Sequence, residues 1–284
     1  MSMPDASFVR PVRLHTIQGG GGLELCVAEA GNPQGPALLF VHGFCQSHQA
    51  WQKQLQGPLA EDFHLVALDL RGHGRSAKPE DGYAEGRLWA DDLHAVITTL
   101  GLKRPLIVGW SYGGVVVTDY LRHYGQENVA GVHFVSALTR LGKPEFFADF
   151  GPDFLRIIPG LLSPEPEETQ QAQEAFVALL FRQPPAPALR AEVLGYNKAV
   201  PLHVRGGVGL RVEEGDDVLS ALKAPVLVSH GLADRLVLPE NSRRISSLVK
   251  HAELSFYPEA AHSLFWEEAP RFDQELARFA ARCR

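Results

Sequence analysis

Three residues spread along 284 positions, Ser111, Asp234 and His262, have the types needed for nucleophilic acyl transfer. A serine hydroxyl is a weak nucleophile near neutral pH. It needs a base to take its proton, and an imidazole base needs a carboxylate to orient it and to offset the charge it gains. Ser111 stands in PLIVGWSYGGVVV, residues 105–117, between Gly109 and Gly113 in the pattern G-x-S-x-G. The apolar run Leu106 to Val108 predicts a buried strand, and the apolar stretch beyond Gly114 predicts a helix. A serine on the sharp turn between them is strained, with its hydroxyl lifted above the sheet. Side chains at 109 or 113 would collide with the neighbouring strand or helix. The helix N-terminus beside Ser111 favours developing negative charge.

The chain holds 12 histidines, so the base must be chosen by position. His262 follows the last predicted strand and precedes the final helix, and Asp234 follows the strand before it. Parallel strands deliver their C-terminal ends to one edge of a sheet, which places both beside Ser111. Asp234 also suits a helix N-cap or a loop brace, while Asp119, on the helix after the turn, is poorly placed for the role. A tetrahedral intermediate needs two preorganised donors for its oxyanion. One is the backbone N–H of Tyr112, and the other comes from the loop after the central strand, at Phe44. His42 reads as a structural hydrogen-bonding residue and Cys45 as a small packing residue, not a catalytic thiol.

These residues need a sheet to position them. Arg13 to Ile17 and Leu23 to Ala30 predict two antiparallel edge strands around a turn at Gly19 to Gly22. Ala37 to Val41, Leu65 to Leu68, Leu106 to Val108, Val129 to Val135, Pro225 to Ser229 and Glu253 to Tyr257 supply the remaining strands. Helices fall at Leu88 to Leu100, with Asp91 and Asp92 on its early turns, and at Pro270 to Arg282. Alternating strands and helices predict an α/β fold with a mostly parallel sheet covered on both faces. The segment Asp69 to Ser76 reads as a loop braced by Arg and Asp.

After Ser136 and Ala137 the texture changes. Prolines gather at Pro159, Pro164, Pro166, Pro184, Pro185 and Pro187, with amphipathic stretches such as Glu168 to Phe181 between them, which predicts a helical lid. The expected division is a core of residues 1–137 and 223–284 with a lid at 138–222. Within the lid, Phe146, Phe147, Phe150, Phe154, Leu155, Ile157, Ile158, Leu161 and Leu162 either line a pocket or form the lid's own core. Trp110, Phe146, Phe147 and Leu236 are the candidate substrate-binding residues.

A net charge of -6 weighs against nucleic acid or an anionic membrane as partner. Cys26, Cys45 and Cys283 are odd in number and lack metal-ligand spacing, so neither a disulfide framework nor a metal site is expected. The first residues show no secretory pattern, and no apolar run approaches a membrane span, so the expected location is the cytoplasm. An apolar edge of the lid would serve a homodimer.

HGF at 42–44, DLRGHGRS at 69–76, GWSYGG at 109–114, HGLAD at 230–234 and AHSLFWEEAP at 261–270 match family blocks in order. With them the chain resembles an α/β-hydrolase-fold serine hydrolase over nearly its whole length. The resemblance implies about eight strands, a lid after the sixth, no metal or cofactor, and hydrolysis through an acyl-enzyme. Within that family the chain is similar to the branch of small esterases and cofactor-free haloperoxidases, or perhydrolases. Cys45 and Tyr112 stand where that branch commonly carries Pro and Met, which weighs against perhydrolysis. Haloalkane dehalogenases and epoxide hydrolases of this fold use an Asp nucleophile, which Ser111 disfavours. The expected activity is hydrolysis of small to medium, fairly apolar carboxylic esters. The same triad also suits a carbon–carbon bond, a lactone or an amide, and a triad-retaining ligand sensor stands as an alternative of another class.

Overall fold

The computed structural model describes residues 10–283; residues 1–9, which carry most of the opening segment read above, and residue 284 lie outside it. Eight strands form one sheet in the order β1-β2-β4-β3-β5-β6-β9-β10. They are β1 (Arg13–Gln18), β2 (Glu24–Gly31), β3 (Ala37–Val41), β4 (His64–Leu68), β5 (Leu106–Trp110), β6 (Gly131–Val135), β9 (Val226–Gly231) and β10 (Glu253–Tyr257). From β4 to β10 every neighbouring pair is parallel, while β1 and β2 add an antiparallel flank. The central strands β3 to β6 and β9 are buried along their whole length, as a sheet covered on both faces requires.

The expectation of two edge strands at the start is corrected for β2. It pairs with β4 as well as β1, and Leu25, Val27 and Ala28 are fully buried, so only β1 lies at the edge. Gly21 and Gly22 turn the chain between the two with φ of 69° and 76°, where residues with a Cβ are strained.

Short helices α1 (Gln52–Leu55) and α2 (Leu59–Asp62) lead from β3 to β4. Helix α3 (Gly86–Thr99) follows β4 and α4 (Gly113–Tyr124) follows β5. Because α3 begins at Gly86, Asp91 and Asp92 lie in its second turn, and their role is not the dipole effect expected of a first turn. Asp92 is buried and accepts two bonds from Arg71, from Nε at 2.7 Å and Nη2 at 2.8 Å, and a third from the Gly20 N–H at 2.8 Å. Asp91 accepts from Arg87 and from the Tyr124 hydroxyl. The pair therefore joins α3 to the β4 loop, the β1–β2 turn and α4. Asp69 braces the same loop, accepting from the His48 N–H and ring and from the Arg75 N–H.

After β6 a two-stranded neck, β7 (Arg140–Leu141) against β8 (Glu213–Glu214), opens into four helices: α5 (Pro152–Leu161), α6 (Pro166–Leu179), α7 (Pro187–Lys198) and α8 (Leu202–Gly209). Three of them begin on proline, which suits the first helical turn because the N–H it lacks would have no partner there. Helix α9 (Asp216–Ala221) returns the chain to β9, α10 (Glu240–Leu248) links β9 to β10, and α11 (Leu264–Glu267) and α12 (Ala269–Arg282) end it.

Three fully buried histidines are held neutral by that burial. It pulls His42 and His133 down to about 3 and His73 to about 4, from an ordinary value of 6.5. The unfolded chain takes up protons at these sites below that ordinary value while the folded chain does not, so stability must fall with pH across this window. Thermal unfolding should show a Tm that is level from pH 8 to about 6.5 and declines towards pH 4.5. A flat profile would contradict the buried neutral imidazoles.

Candidate active site

The turn between β5 and α4 holds Ser111 at a φ of 56°, outside the usual range for a residue with a Cβ. Its N–H donates to Val135 O at 3.0 Å, and its carbonyl accepts from Gly114 at 2.9 Å and Leu138 at 3.0 Å. The neighbouring glycines permit the approach. A Cβ at Gly109 would lie 2.9 Å from Val117 Cγ2, and one at Gly113 would lie 2.4 Å from Val41 O. A Cβ at Gly43 would stand 2.9 Å from Ser111 Cβ and 3.3 Å from its Oγ, so the hydroxyl faces the loop that follows β3.

Asp234 and His262 leave the ends of β9 and β10 and meet: His262 Nδ1 donates to Asp234 Oδ2 at 2.7 Å. This fixes the tautomer that leaves Nε2 free to accept a proton. The other carboxylate oxygen accepts from the Leu236 N–H at 2.9 Å and the Val237 N–H at 3.1 Å. His230 adds a further donor. Its Nε2 donates to Val237 O and lies 3.2 Å from Asp234 Oδ2, while Ser242 Oγ donates to Nδ1. Burial alone would raise the Asp234 carboxyl, but the charge of His262 and the bonds from His230 and His262 hold it well below the usual carboxylate range. Asp119 is engaged elsewhere, with Arg211.

Trp110, directly before Ser111, holds the histidine loop to the elbow: its Nε1 donates to His262 O at 2.9 Å and its ring centroid lies 5.4 Å from the imidazole. Trp51 and Phe265 pack behind it. Among the described residues no hydrogen bond joins Ser111 Oγ to the imidazole. The hydroxyl lies on the Gly43 side of the turn, and bonds between a serine and its base are often open without substrate. The backbone N–H groups of Phe44 and Tyr112 have no acceptor among the described residues, as donors kept for a ligand would have. His42 orders this loop, its Nδ1 donating to Gly43 O at 2.8 Å and its Nε2 accepting the Leu70 N–H at 3.0 Å. Cys45 is buried with φ of 56°, and burial pushes its thiol up, which keeps it protonated.

Phe147 is 52% exposed, and Phe146 is buried with the cationic groups of Arg140 and Lys143 over its ring. Leu236 acts through its N–H on Asp234. An aromatic strip runs from Phe44 to Phe176 on α6, edge-on at 6.2 Å, and through Phe154 to Phe150, whose backbone pairs with Val237. A crevice of about 10 Å³ beside Trp110 and Ser263, under Leu180, Tyr196 and Trp266, has room for one water.

Cys26, His48 and Asp69 bring one donor atom each within 4.8 Å of one another. His48 and Asp69 are already bonded together, and burial raises the Cys26 thiol to about 11, so the trio suits a brace better than a cation site.

The alpha/beta hydrolase fold family model matches residues 36–269. The chain belongs to this family and within it is an esterase-like member. It is similar to the bifunctional esterase/perhydrolase DCH of Acinetobacter calcoaceticus, 30% identical over 91% of this chain and 96% of that protein. It is also similar to the pimeloyl-[acyl-carrier protein] methyl ester esterase of Vibrio atlanticus, 30% identical over 87% of this chain and 95% of that one. Among solved structures, the esterase RhEst1 from Rhodococcus sp. ECU1013 superposes with a TM-score of 0.90 at 33% identity, covering 95% of this chain and 99% of that one. No helix among the described residues is long and apolar enough to cross a membrane.

Arg211 and Phe176 escaped the sequence reading because each acts across a large gap in the chain, whereas His230 lies only four residues before Asp234. Only the HG pair before Asp234 offered a hint, and that for His230. Substituting Gly43→Ala should lower activity about 100- to 1,000-fold with little change in Tm, since the new methyl meets Ser111 and displaces a donor loop whose contribution is of that order. Steady-state kinetics with a chromogenic ester, beside a melting curve, check this; wild-type kcat would mean that the loop does not touch the reacting atoms.

Proposed function

We propose that the chain hydrolyses small to medium, apolar carboxylic esters through an acyl-enzyme on Ser111. The observation that supports this most is the buried His262–Asp234 bond set behind a serine held at positive φ. In the forward step His262 Nε2 takes the Ser111 proton as Oγ attacks the ester carbonyl. The N–H groups of Phe44 and Tyr112 receive the oxyanion, each donor being worth about 3 to 4 kcal/mol of barrier. Collapse expels the alcohol, which leaves with the proton from His262. Water, deprotonated by the same imidazole, then attacks the acyl carbon and frees Ser111. Asp234 stays ionised throughout and offsets the imidazolium charge.

The preference for apolar acyl groups rests on the strip from Phe44 through Phe176 and Phe154 to Phe150, which spans the gap between the oxyanion loop and the Asp234 loop. The helices α5 to α8 act as a lid on this reading. Ser111 is 5% and His262 1% exposed, so an ester reaches them when these helices shift.

Ser111→Ala should remove turnover of p-nitrophenyl butyrate by about 10⁴-fold or more while leaving the melting temperature unchanged. Retained turnover would end the proposal. The Asp234 carboxyl is held too low to add a proton to the acid limb of kcat/KM, so that limb should fall with a slope of no more than one proton. A two-proton slope would mean that Asp234 is not the buried anion described.

A further inference from the structure

Tyr112 has one end of its residue held and the other open. Its N–H is unpartnered among the described residues, and its hydroxyl accepts from Arg211 Nη1 at 2.7 Å. Arg211 lies between α8 and β8, at the neck where the helical insertion rejoins the sheet. It is 1% exposed. Its Nη2 donates to Asp119 Oδ2 at 2.9 Å and to Glu213 Oε1 at 2.8 Å. Its guanidinium carbon lies 5.2 Å from the Trp89 ring centroid and 5.7 Å from that of Tyr112, and Trp89 meets Tyr112 edge-on at 5.3 Å.

The consequence is mechanical. Arg211 grips α4 at two levels, at Tyr112 before its first turn and at Asp119 in its second. A planar guanidinium with several fixed donors holds partners at set angles better than a single ammonium could. With the ring flanked by Trp89 and its hydroxyl pinned by Arg211, the Cα of Tyr112 has little freedom, and the N–H attached to that Cα moves with it.

We infer that Arg211 is a positioning residue for the oxyanion donor of Tyr112, joining the neck of the helical insertion to the catalytic turn. This rests on the esterase reading above. It makes the lid more than a cover: a shift that carries Arg211 away also releases the donor.

The test uses Tyr112→Phe, which keeps the ring and deletes only the hydroxyl, with Arg211→Gln and the double variant. With p-nitrophenyl butyrate, Tyr112→Phe should lower kcat about tenfold and leave KM within about twofold, a pattern of lost transition-state contact. A trifluoromethyl ketone, which adds to Ser111 and places its oxyanion on the same donors, should bind about tenfold more weakly. Arg211→Gln should show the same split, and the double variant should be no worse than the stronger single, because both act through one contact. A merely structural role predicts lower Tm with kcat, KM and ketone affinity unchanged, and that result overturns the inference, as do losses that multiply. If Arg211→Gln does not fold, Tyr112→Phe decides alone. Ser111→Ala separates the two readings: activity that persists without Ser111 sinks the esterase, whereas Ser111-dependent activity indifferent to Tyr112→Phe sinks only the positioning role.

Discussion

The backbone of Ser111, held at a φ of 56°, is the constraint on which the site depends. Such a conformation costs about 1 to 3 kcal/mol and persists only where its surroundings fix it. Here the fixing is done by main chain. Val135 at the end of β6 accepts the serine N–H, and Leu138 donates to its carbonyl, so the turn is tied to the strand beside it. Glycines at 43, 109 and 113 let three backbones approach within contact distances that a Cβ would forbid. Because these ties are to neighbouring strands, the position of the hydroxyl is a property of the sheet and not of a mobile loop.

The second half of the site is electrostatic. Asp234 is fully enclosed, a setting in which a lone carboxylate would be costly. Two backbone N–H groups, His262 and His230 surround it, and their combined effect outweighs burial and keeps it ionised. A negative charge kept in a low-dielectric site acts more strongly on the imidazole than an exposed one could. Trp110 completes the connection, since the residue that precedes Ser111 also holds the carbonyl of His262.

Much of this was legible in the sequence, for identifiable reasons. The central strands are continuous apolar runs bounded by glycine and polar turns, and each candidate residue follows such a run, so its place at one edge of the sheet follows from topology. The strand order was less accessible, and β2 was misplaced at the edge because antiparallel flanks leave no mark on periodicity. The aromatic residues of the insertion were ambiguous for a related reason. Phe146, Phe147 and Phe154 have the same composition around them, and only packing separates one covered by two cations, one in solvent and one set between Phe150 and Phe176. The partner of the Tyr112 hydroxyl was hidden because Arg211 lies 99 residues away, and nothing local ties them.

The central claim is that Ser111 is a nucleophile made reactive by His262. Its most direct measurement is the site and rate of labelling by a fluorophosphonate, read by peptide mass spectrometry in the wild-type chain and in His262→Ala. The account predicts one adduct per chain, on Ser111, forming much more slowly when the imidazole is gone. An adduct on another residue, or a rate indifferent to His262→Ala, would contradict it.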